Sequence, residues 1–263
     1  MKVFFIGDIV GRTGRTAVYK LLPPIIKKEK PDLIIANAEN SAGGFGLTRR
    51  VADDLFSYGI DILTMGNHTW DKKGILDFID EYPRVIRPLN YNKNVPGKGW
   101  TIIDINNLKV AIVNFIGQVF IMGNNSPFDT YDKYIEQIKS EADIIIIDFH
   151  AEATGEKLAF ANYVDGQVAA VLGTHTHVQT SDNMILPGGT AYMTDIGMTG
   201  AVNSILGMSR DRVIERFRTQ ISISYKVARG DYKIEGAMIE IDESFFLGKK
   251  ITRVRESEMS LKK

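Results

Sequence analysis

All four histidines of this 263-residue chain follow short apolar segments, where they could bind metal ions or transfer protons. His68 lies in MGNHTWD, His150 in DFHAEATGEK, and His175 and His177 in GTHTHVQT. A single histidine after a strand is usually a surface or capping residue. Because every histidine of the chain occupies such a position, we interpret them as parts of one site.

Oxygen-bearing side chains follow two further apolar segments. Asp8 comes after the first, and Glu39 and Asn40 come after the second, in NAEN. A carboxylate such as Glu39 can bridge two cations about 3.5–4 Å apart. The chain contains no cysteine, which excludes disulfides, thiolate catalysis and cysteine-ligated zinc. Imidazole and carboxylate ligands without sulfur suit manganese, iron or zinc rather than copper(I).

The His-x-His pair allows two geometries. In an extended segment, His175 and His177 would point in the same direction, because side chains alternate along a strand. Around a tight turn, they could instead face two adjacent metal ions. The sequence leaves both geometries open.

Five short, almost wholly apolar segments predict strands that are buried on both faces of a sheet. They are residues 3–6, 33–36, 60–64, 144–147 and 168–172. Ligands bind beyond the carboxyl ends of parallel strands, so the polar residues that follow these segments should converge. Hairpins are predicted at 100–115 and 184–195, and their mixture with βαβ units indicates an α/β layered sandwich.

Helical patterns occupy the connections between these strands. They are expected at 17–26, from Thr48 to about Gly59, at 73–79 and at 131–140. Pro23 and Pro24 should kink or split the first helix. Residues 221–242 alternate apolar and polar side chains around a Gly-Asp turn, which predicts an antiparallel region. The polar tail, residues 253–263, is expected to fray.

Composition indicates an ordinary globular protein. Hydrophobic residues make up 44% of the chain, and 32 basic side chains balance 32 acidic ones. The zero net charge gives no sign of bulk attraction to RNA or to membranes. No apolar stretch approaches the roughly 18 residues of a membrane span. We therefore expect one domain over residues 1–263, located in the cytoplasm, with homo-oligomerisation left open.

The ordered motifs GDIVG, NAEN, GNHTWD, DFHAEATGEK and GTHTHVQT resemble those of the calcineurin-like metallophosphoesterases, and most closely the YmdB-like branch. The resemblance runs from Gly7 to Gly200. It implies a layered α-β-β-α sandwich with two mixed sheets, and a site that holds two divalent or trivalent metal ions, with iron or manganese favoured and zinc as another candidate.

The resemblance also implies a role for each site residue. Asp8 and His177 would bind the first metal and Glu39 would bridge both. The ligands of the second metal would be Asn67, His150 and His175. His68 would bind no metal and would protonate the leaving oxygen.

Three positions depart from the wider family. Val10 stands where a further histidine ligand is usual, and Asn40 is the nearest replacement through its amide oxygen. The bridging position holds Glu39 instead of an aspartate. Thr69 replaces the usual acidic residue after GNH, so the residue that orients His68 is open, with Asp71 as a candidate. The first two departures are features of the YmdB-like branch.

The implied activity is hydrolysis of cyclic nucleotides, with 2′,3′-cyclic substrates favoured over 3′,5′-cyclic ones, by a metal-activated hydroxide. Metallo-β-lactamase and amidohydrolase chemistry is disfavoured, because those enzymes usually carry His-x-His early in the chain and here it comes last. A metal-stabilised regulator that binds RNA or a protein partner remains the alternative. The substrate is expected to be a small phosphodiester, and the residues that contact it are not identified.

Four other side chains near these motifs have a structural interpretation and a functional one. Arg12 and Arg15 could hold a phosphate, but a solvated first helical turn is the commoner role of such residues. Phe45 and Trp70 could stack on a base, but core packing is commoner.

Overall fold

The computed structural model describes residues 1–258, in which apolar strands and amphipathic helices alternate. The helices are α1 (Gly11–Glu29), α2 (Arg49–Ser57), α3 (Pro127–Glu141), α4 (Thr154–Tyr163) and α5 (Arg210–Thr219). The strands of the first half are β1 (Lys2–Ile6), β2 (Asp8–Ile9), β3 (Leu33–Asn37), β4 (Ile62–Thr64), β5 (Val85–Ile86), β6 (Trp100–Ile105) and β7 (Leu108–Ile116). Those of the second half are β8 (Ile144–His150), β9 (Ala170–Thr174), β10 (Met184–Ile185), β11 (Ala191–Met193), β12 (Met198–Ala201), β13 (Tyr232–Asp242) and β14 (Leu247–Ser257).

These strands form two mixed sheets. The first has the order β2-β12-β13-β1-β3-β4-β5, with β14 paired to β13, and β1, β3, β4 and β5 run parallel. The second has the order β10-β11-β9-β8-β7-β6, in which β7, β8, β9 and β11 run parallel. The predicted hairpins at the ends of the second sheet, β6-β7 and β10-β11, are confirmed.

The two faces of each sheet bury different partners. Phe4 and Ile6 of β1 pack with α1 and α2 in one core, whereas Val3 and Phe5 face a second core shared with the other sheet. A third core packs α3 and α4 on the outer face of the second sheet. This arrangement is the expected α-β-β-α sandwich.

The prediction for the first helix was wrong in one respect. Pro23 and Pro24 lie inside α1, which continues unbroken to Glu29. Both prolines are exposed, as are Tyr19 and Lys20, so the carbonyl groups that lose a helical hydrogen bond can bind water instead. The buried face of the helix keeps its packing against the sheet.

Three further local predictions were corrected. The segment around Lys73 forms two 3₁₀ turns, Lys73–Asp77 and Ile79–Glu81, rather than an α-helix. Residues 221–226 contain no strand, because β13 pairs with β14 instead. Arg253–Ser257, expected to fray, belongs to β14, and the end of the same predicted tail, residues 259–263, lies outside the described residues.

No helix among residues 1–258 is long and apolar enough to cross a membrane. The single domain over 1–263 stays a prediction.

Gly173 in β9 provides a test of this packing. A Cβ at position 173 would collide with the backbone carbonyl oxygen of Thr194, whereas one at the exposed helical Gly155 meets nothing within 4 Å. We expect Gly173→Ala to lower the free energy of unfolding by about 1–3 kcal/mol, because a packed backbone must shift. Gly155→Ala should be neutral or raise it by up to about 1 kcal/mol. Urea denaturation measures both, and equal effects would contradict the close approach.

Candidate metal centre

His150 lies at the middle of the converging side chains. It ends β8, is fully buried, and its Nε2 lies 3.0 Å from Oε1 of Glu39. The same nitrogen lies 3.0 Å from Oδ1 of Asn67 and 3.0 Å from Nδ1 of His175. Donor atoms of Glu39, His150 and His175 all lie within 4.8 Å of one another. One cation could be held among these atoms.

A second group of donor atoms adjoins the first. Nε2 of His177 lies 3.6 Å from Oδ1 of Asp8 and 3.4 Å from Nδ2 of Asn40, which also donates to Oε1 of Glu39 at 3.2 Å. Oδ1 of Asp8 is buried, and within residues 1–258 it has no hydrogen-bond partner. Leaving a carboxylate oxygen buried without a partner is costly, and a cation would satisfy it. The residues present therefore fit a metal site.

The His-x-His pair adopts the tight turn rather than the extended form. His175 has φ 99° and His177 has φ 63°, a region that non-glycine residues rarely occupy. The backbone N–H of His175 donates to Oδ2 of Asp8 at 3.2 Å. As a result, the ring of His175 faces His150, while the ring of His177 faces Asp8.

A chain of buried hydrogen bonds orients His150. Thr174 donates to Oδ1 of Asp148 at 2.7 Å, and Thr64 donates to Oδ2 of Asp148 at 2.5 Å. The Thr174 hydroxyl, whose proton is engaged, can then accept from Nδ1 of His150 at 2.9 Å. This leaves Nε2 of His150 directed at the centre. Burial raises the pKa of Asp148 to about 6, in spite of His150 and the two hydroxyl groups.

The other two imidazoles are tethered in the same manner. Nε2 of His175 lies 3.0 Å from the carboxylate of Glu152, which leaves Nδ1 for the centre. Nδ1 of His177 lies 3.1 Å from the carbonyl oxygen of Leu206, which leaves Nε2 facing Asp8. Each ring thus presents one nitrogen inward.

Burial and neighbouring charges shift the pKa values of these groups in different directions. Burial opposes ionisation of Asp8 and Glu39, but the neighbouring imidazoles outweigh it and hold the pKa of each carboxyl below its usual value. Burial, together with the charge of His150, lowers the pKa of His175 to about 3. Burial also disfavours charge on His150, but Glu39 and Asp8 raise its pKa to about 9. At neutral pH the carboxylates are ionised and His175 has a free lone pair, whereas His150 must lose a proton to bind metal.

His68 lies beside the centre without joining the donor cluster. Its Nδ1 lies 2.8 Å from Oδ2 of Asp71, and its backbone N–H donates to Oε2 of Glu39 at 2.8 Å. The ring contacts the edge of Phe45, with ring centroids 4.8 Å apart, and its side chain is 26% exposed. Asp71 is therefore the residue whose side chain orients His68.

The loop that carries Asn67 and His68 is pressed against the centre. A Cβ at Gly66 would collide with His150 and Glu39. Tyr91 donates its hydroxyl to the carbonyl oxygen of Gly66 at 2.8 Å. Glycine is therefore needed at position 66 for the close approach of the backbone.

Several of these contacts were missed from the sequence. Asp148, Glu152 and Thr174 lie within or beside motifs that were identified, but nothing in their spacing marked them as partners of histidines. Tyr91 belongs to the segment RPLNY, which could reach over the site, although a loop into the following hairpin is the favoured interpretation. Leu206 acts through its backbone carbonyl, for which the sequence carries no signal.

Two of the other side chains near the motifs, Arg15 and Trp70, make structural contacts. Arg15 donates to the carbonyl oxygen of Ser41, while Arg12 is exposed on the first turn of α1. Trp70 packs on Tyr91, with ring centroids 6.0 Å apart.

Comparison with known proteins gives matches along nearly the whole chain. The model of the YmdB-like protein family matches residues 4–254. A 2′,3′-cyclic-nucleotide 2′-phosphodiesterase of Bacillus subtilis is 47% identical over 254 residues, covering 97% of this chain and 96% of that protein. A crystal structure of a hypothetical protein from Thermus thermophilus is similar with TM-score 0.92 and 38% identity, covering 98% of this chain and all of that one. A phosphatase structure from Mycoplasma pneumoniae has TM-score 0.92 and 33% identity, covering 100% and 96% of the respective chains.

The hydrogen-bond chain behind His150 can be tested by Thr174→Val, which keeps the shape of the side chain and removes its hydroxyl. We expect the free energy of unfolding to fall by about 1–3 kcal/mol, because the buried Asp148 loses a donor and His150 an acceptor. Thr219→Val is the control, because its hydroxyl donates to the carbonyl oxygen of Glu215 and accepts from the N–H of the exposed Ile221, where water can replace both bonds. It should change the free energy by less than about 0.5 kcal/mol. Chemical denaturation measures both variants. An equally small effect at both sites would contradict the proposed chain of hydrogen bonds behind His150.

Proposed function

The chain belongs to the YmdB-like family, a branch of the metallophosphoesterases, and we propose that it is a dinuclear metal-dependent phosphodiesterase acting on 2′,3′-cyclic nucleotides. The observation that carries the proposal is the convergence of Glu39, His150 and His175 beside the Asp71-tethered His68. The name of the Bacillus subtilis relative supports the substrate class. A 3′,5′-cyclic nucleotide is the second candidate substrate.

Asp8, Asn40 and His177 are the proposed ligands of one metal ion. Two observations support this assignment: Oδ1 of Asp8 has no hydrogen-bond partner among residues 1–258, and Nε2 of His177 lies 3.6 Å from it. The amide nitrogen of Asn40 faces Glu39 and His177, so binding through its oxygen requires the amide to turn. Asn40 replaces the histidine ligand that Val10 cannot supply.

Asn67, His150 and His175 are the proposed ligands of the second metal ion. All three present a donor atom within 3.0 Å of another member of the group. Glu39 contacts both His150 and Asn40, which supports its role as the bridge between the two ions. A donor set of imidazole, carboxylate and amide groups favours iron or manganese, with zinc as another candidate.

When bound, two cations would neutralise phosphoryl oxygens and acidify the attacking water. The chain's own contribution to bond cleavage is the proton that His68 holds. Asp71 binds Nδ1 of His68, so Nε2 is the nitrogen that can donate to the leaving oxygen. In a 2′,3′-cyclic nucleotide the bond from phosphorus to O2′ breaks, water supplies the new oxygen, and O2′ takes the proton.

The test of this function is a substrate panel. Protein purified without oxygen should be analysed for bound metals and then assayed with 2′,3′- and 3′,5′-cyclic nucleotides, linear diesters and monoesters. We expect the fastest turnover with 2′,3′-cyclic nucleotides and a 3′-nucleotide as product. Absence of hydrolysis with both manganese and iron would overturn the proposal and favour the metal-stabilised regulator.

His68→Ala separates proton donation from metal binding. We expect the variant to keep its metals and to lose about 10²- to 10⁴-fold in kcat, because the leaving oxygen then departs without a proton. Elemental analysis and steady-state kinetics provide the two readouts. Unchanged turnover would remove His68 from the mechanism.

Glu39→Ala should empty or scramble both metal positions, since the bridging carboxylate is lost. Glu136→Ala is the matched control, because Glu136 is an exposed carboxylate on α3, and it should keep full occupancy. Metal content per chain is the measurement. Two metals retained in Glu39→Ala would refute the bridge.

A further inference from the structure

A cavity lies apart from the proposed metal ligands. It has a volume of about 1060 Å³ and is bounded by residues 87–101 on one side and by α3 on the other. None of the proposed ligands lines it. Cavities of roughly 300–1,000 Å³ are typical of small-molecule sites, so this one has room for a ligand of its own.

The mostly buried side chain of Arg87 contributes a polar group to the lining of this cavity. The residue is 7% exposed, and its guanidinium donates to the carbonyl oxygens of Pro88 at 2.8 Å and Pro96 at 3.3 Å. Within residues 1–258, Nη2 makes no hydrogen bond and the guanidinium forms no ion pair. Asp80, on the adjacent 3₁₀ turn, instead accepts from the backbone of Gly97 at 2.7 Å. Nη2 of this mostly buried guanidinium is therefore available to a ligand, and a bound anion would form a charge-assisted hydrogen bond with it.

Further cations surround the same opening. Lys93, Lys98 and Lys133 line the cavity together with Arg87. Among residues 1–258, the acidic side chains that line it are Asp129 and Glu141. The whole chain has no net charge, so this positive excess is local. This local excess of positive charge attracts an anionic ligand.

Aromatic rings also line the cavity. Trp100 and Tyr134 lie with ring centroids 5.7 Å apart, and Nζ of Lys133 lies 4.9 Å from the centroid of Tyr134. Tyr91 also lines the cavity. Aromatic side chains beside cations are the combination that binds a flat base and its phosphate.

We propose that this cavity is a second ligand site, which binds a nucleotide by its phosphate at Arg87 and the lysines and by its base at Trp100 and Tyr134. The proposal does not depend on catalysis at the metal centre. Tyr91 connects the two regions, because it lines the cavity and its hydroxyl donates to Gly66, next to Asn67. The nucleotide can be free or part of an RNA strand, since both present the same base and phosphate.

Tryptophan fluorescence can measure ligand binding in this cavity, because Trp100 lines it. The chain has two tryptophans, and Trp70→Phe leaves Trp100 as the single reporter. Adenosine monophosphate and an adenosine trinucleotide are titrated separately into the metal-loaded protein. We expect saturable quenching of Trp100. Quenching by the mononucleotide identifies a free nucleotide as the ligand, and quenching by the trinucleotide alone identifies a strand.

Charge variants in the same background test the recognition. Lys93→Ala with Lys133→Ala should weaken binding by about tenfold or more, because charge-assisted hydrogen bonds are lost. Lys20→Ala with Lys139→Ala removes the same charge at exposed positions outside the cavity and should leave the affinity unchanged. Arg87→Lys, which keeps the charge but loses the planar fork, should weaken binding as well.

Two results would overturn the proposal. One is the absence of quenching by both ligands; the other is an equal loss of affinity in the two double-lysine variants, which would indicate bulk charge. Neither result bears on hydrolysis by the metal centre, so the failure of this inference is distinguishable from failure of the proposed function.

Discussion

The contact between Glu39 and His150 is the interaction on which the site depends. Glu39 follows β3 in the first sheet and His150 ends β8 in the second, and their side chains meet at 3.0 Å with almost no exposure to solvent. A buried charge is tolerated only when its partners are in place. The carboxyl ends of both sheets must therefore be aligned, and the cores between and outside the sheets hold them in that alignment.

Contacts to one nitrogen of each imidazole fix the direction in which the other nitrogen points. Thr174 fixes His150, Glu152 fixes His175, and a backbone carbonyl fixes His177. Each tether engages one ring nitrogen and leaves the other facing inward. His68 is tethered to Asp71, a carboxylate outside the cluster, and its other nitrogen is left for the proton transfer proposed above. The partners of each histidine thus differ in the way that the two proposed roles require.

Much of the fold was predictable because strand burial is visible in the sequence. Strands buried on both faces must be apolar throughout, and the five segments predicted on that basis all contain strands of the two sheets. Local rules failed where the surroundings overrode them. Pro23 and Pro24 are accommodated in α1 because water reaches the exposed side of the helix, and residues 221–226 form no strand because β14 occupies the neighbouring position beside β13.

By itself, the sequence determined which side chains could act and that they follow strands whose ends converge; Asp8, Glu39 and the four histidines were identified in this way. Only the tertiary structure decided how they face one another. The left-handed turn at His175 and His177, and the pairing of Asp71 with His68, follow from backbone torsions and local contacts that spacing does not specify. The direction of a side chain depends on everything packed around it, whereas its position along a strand depends mainly on the strand's own burial pattern.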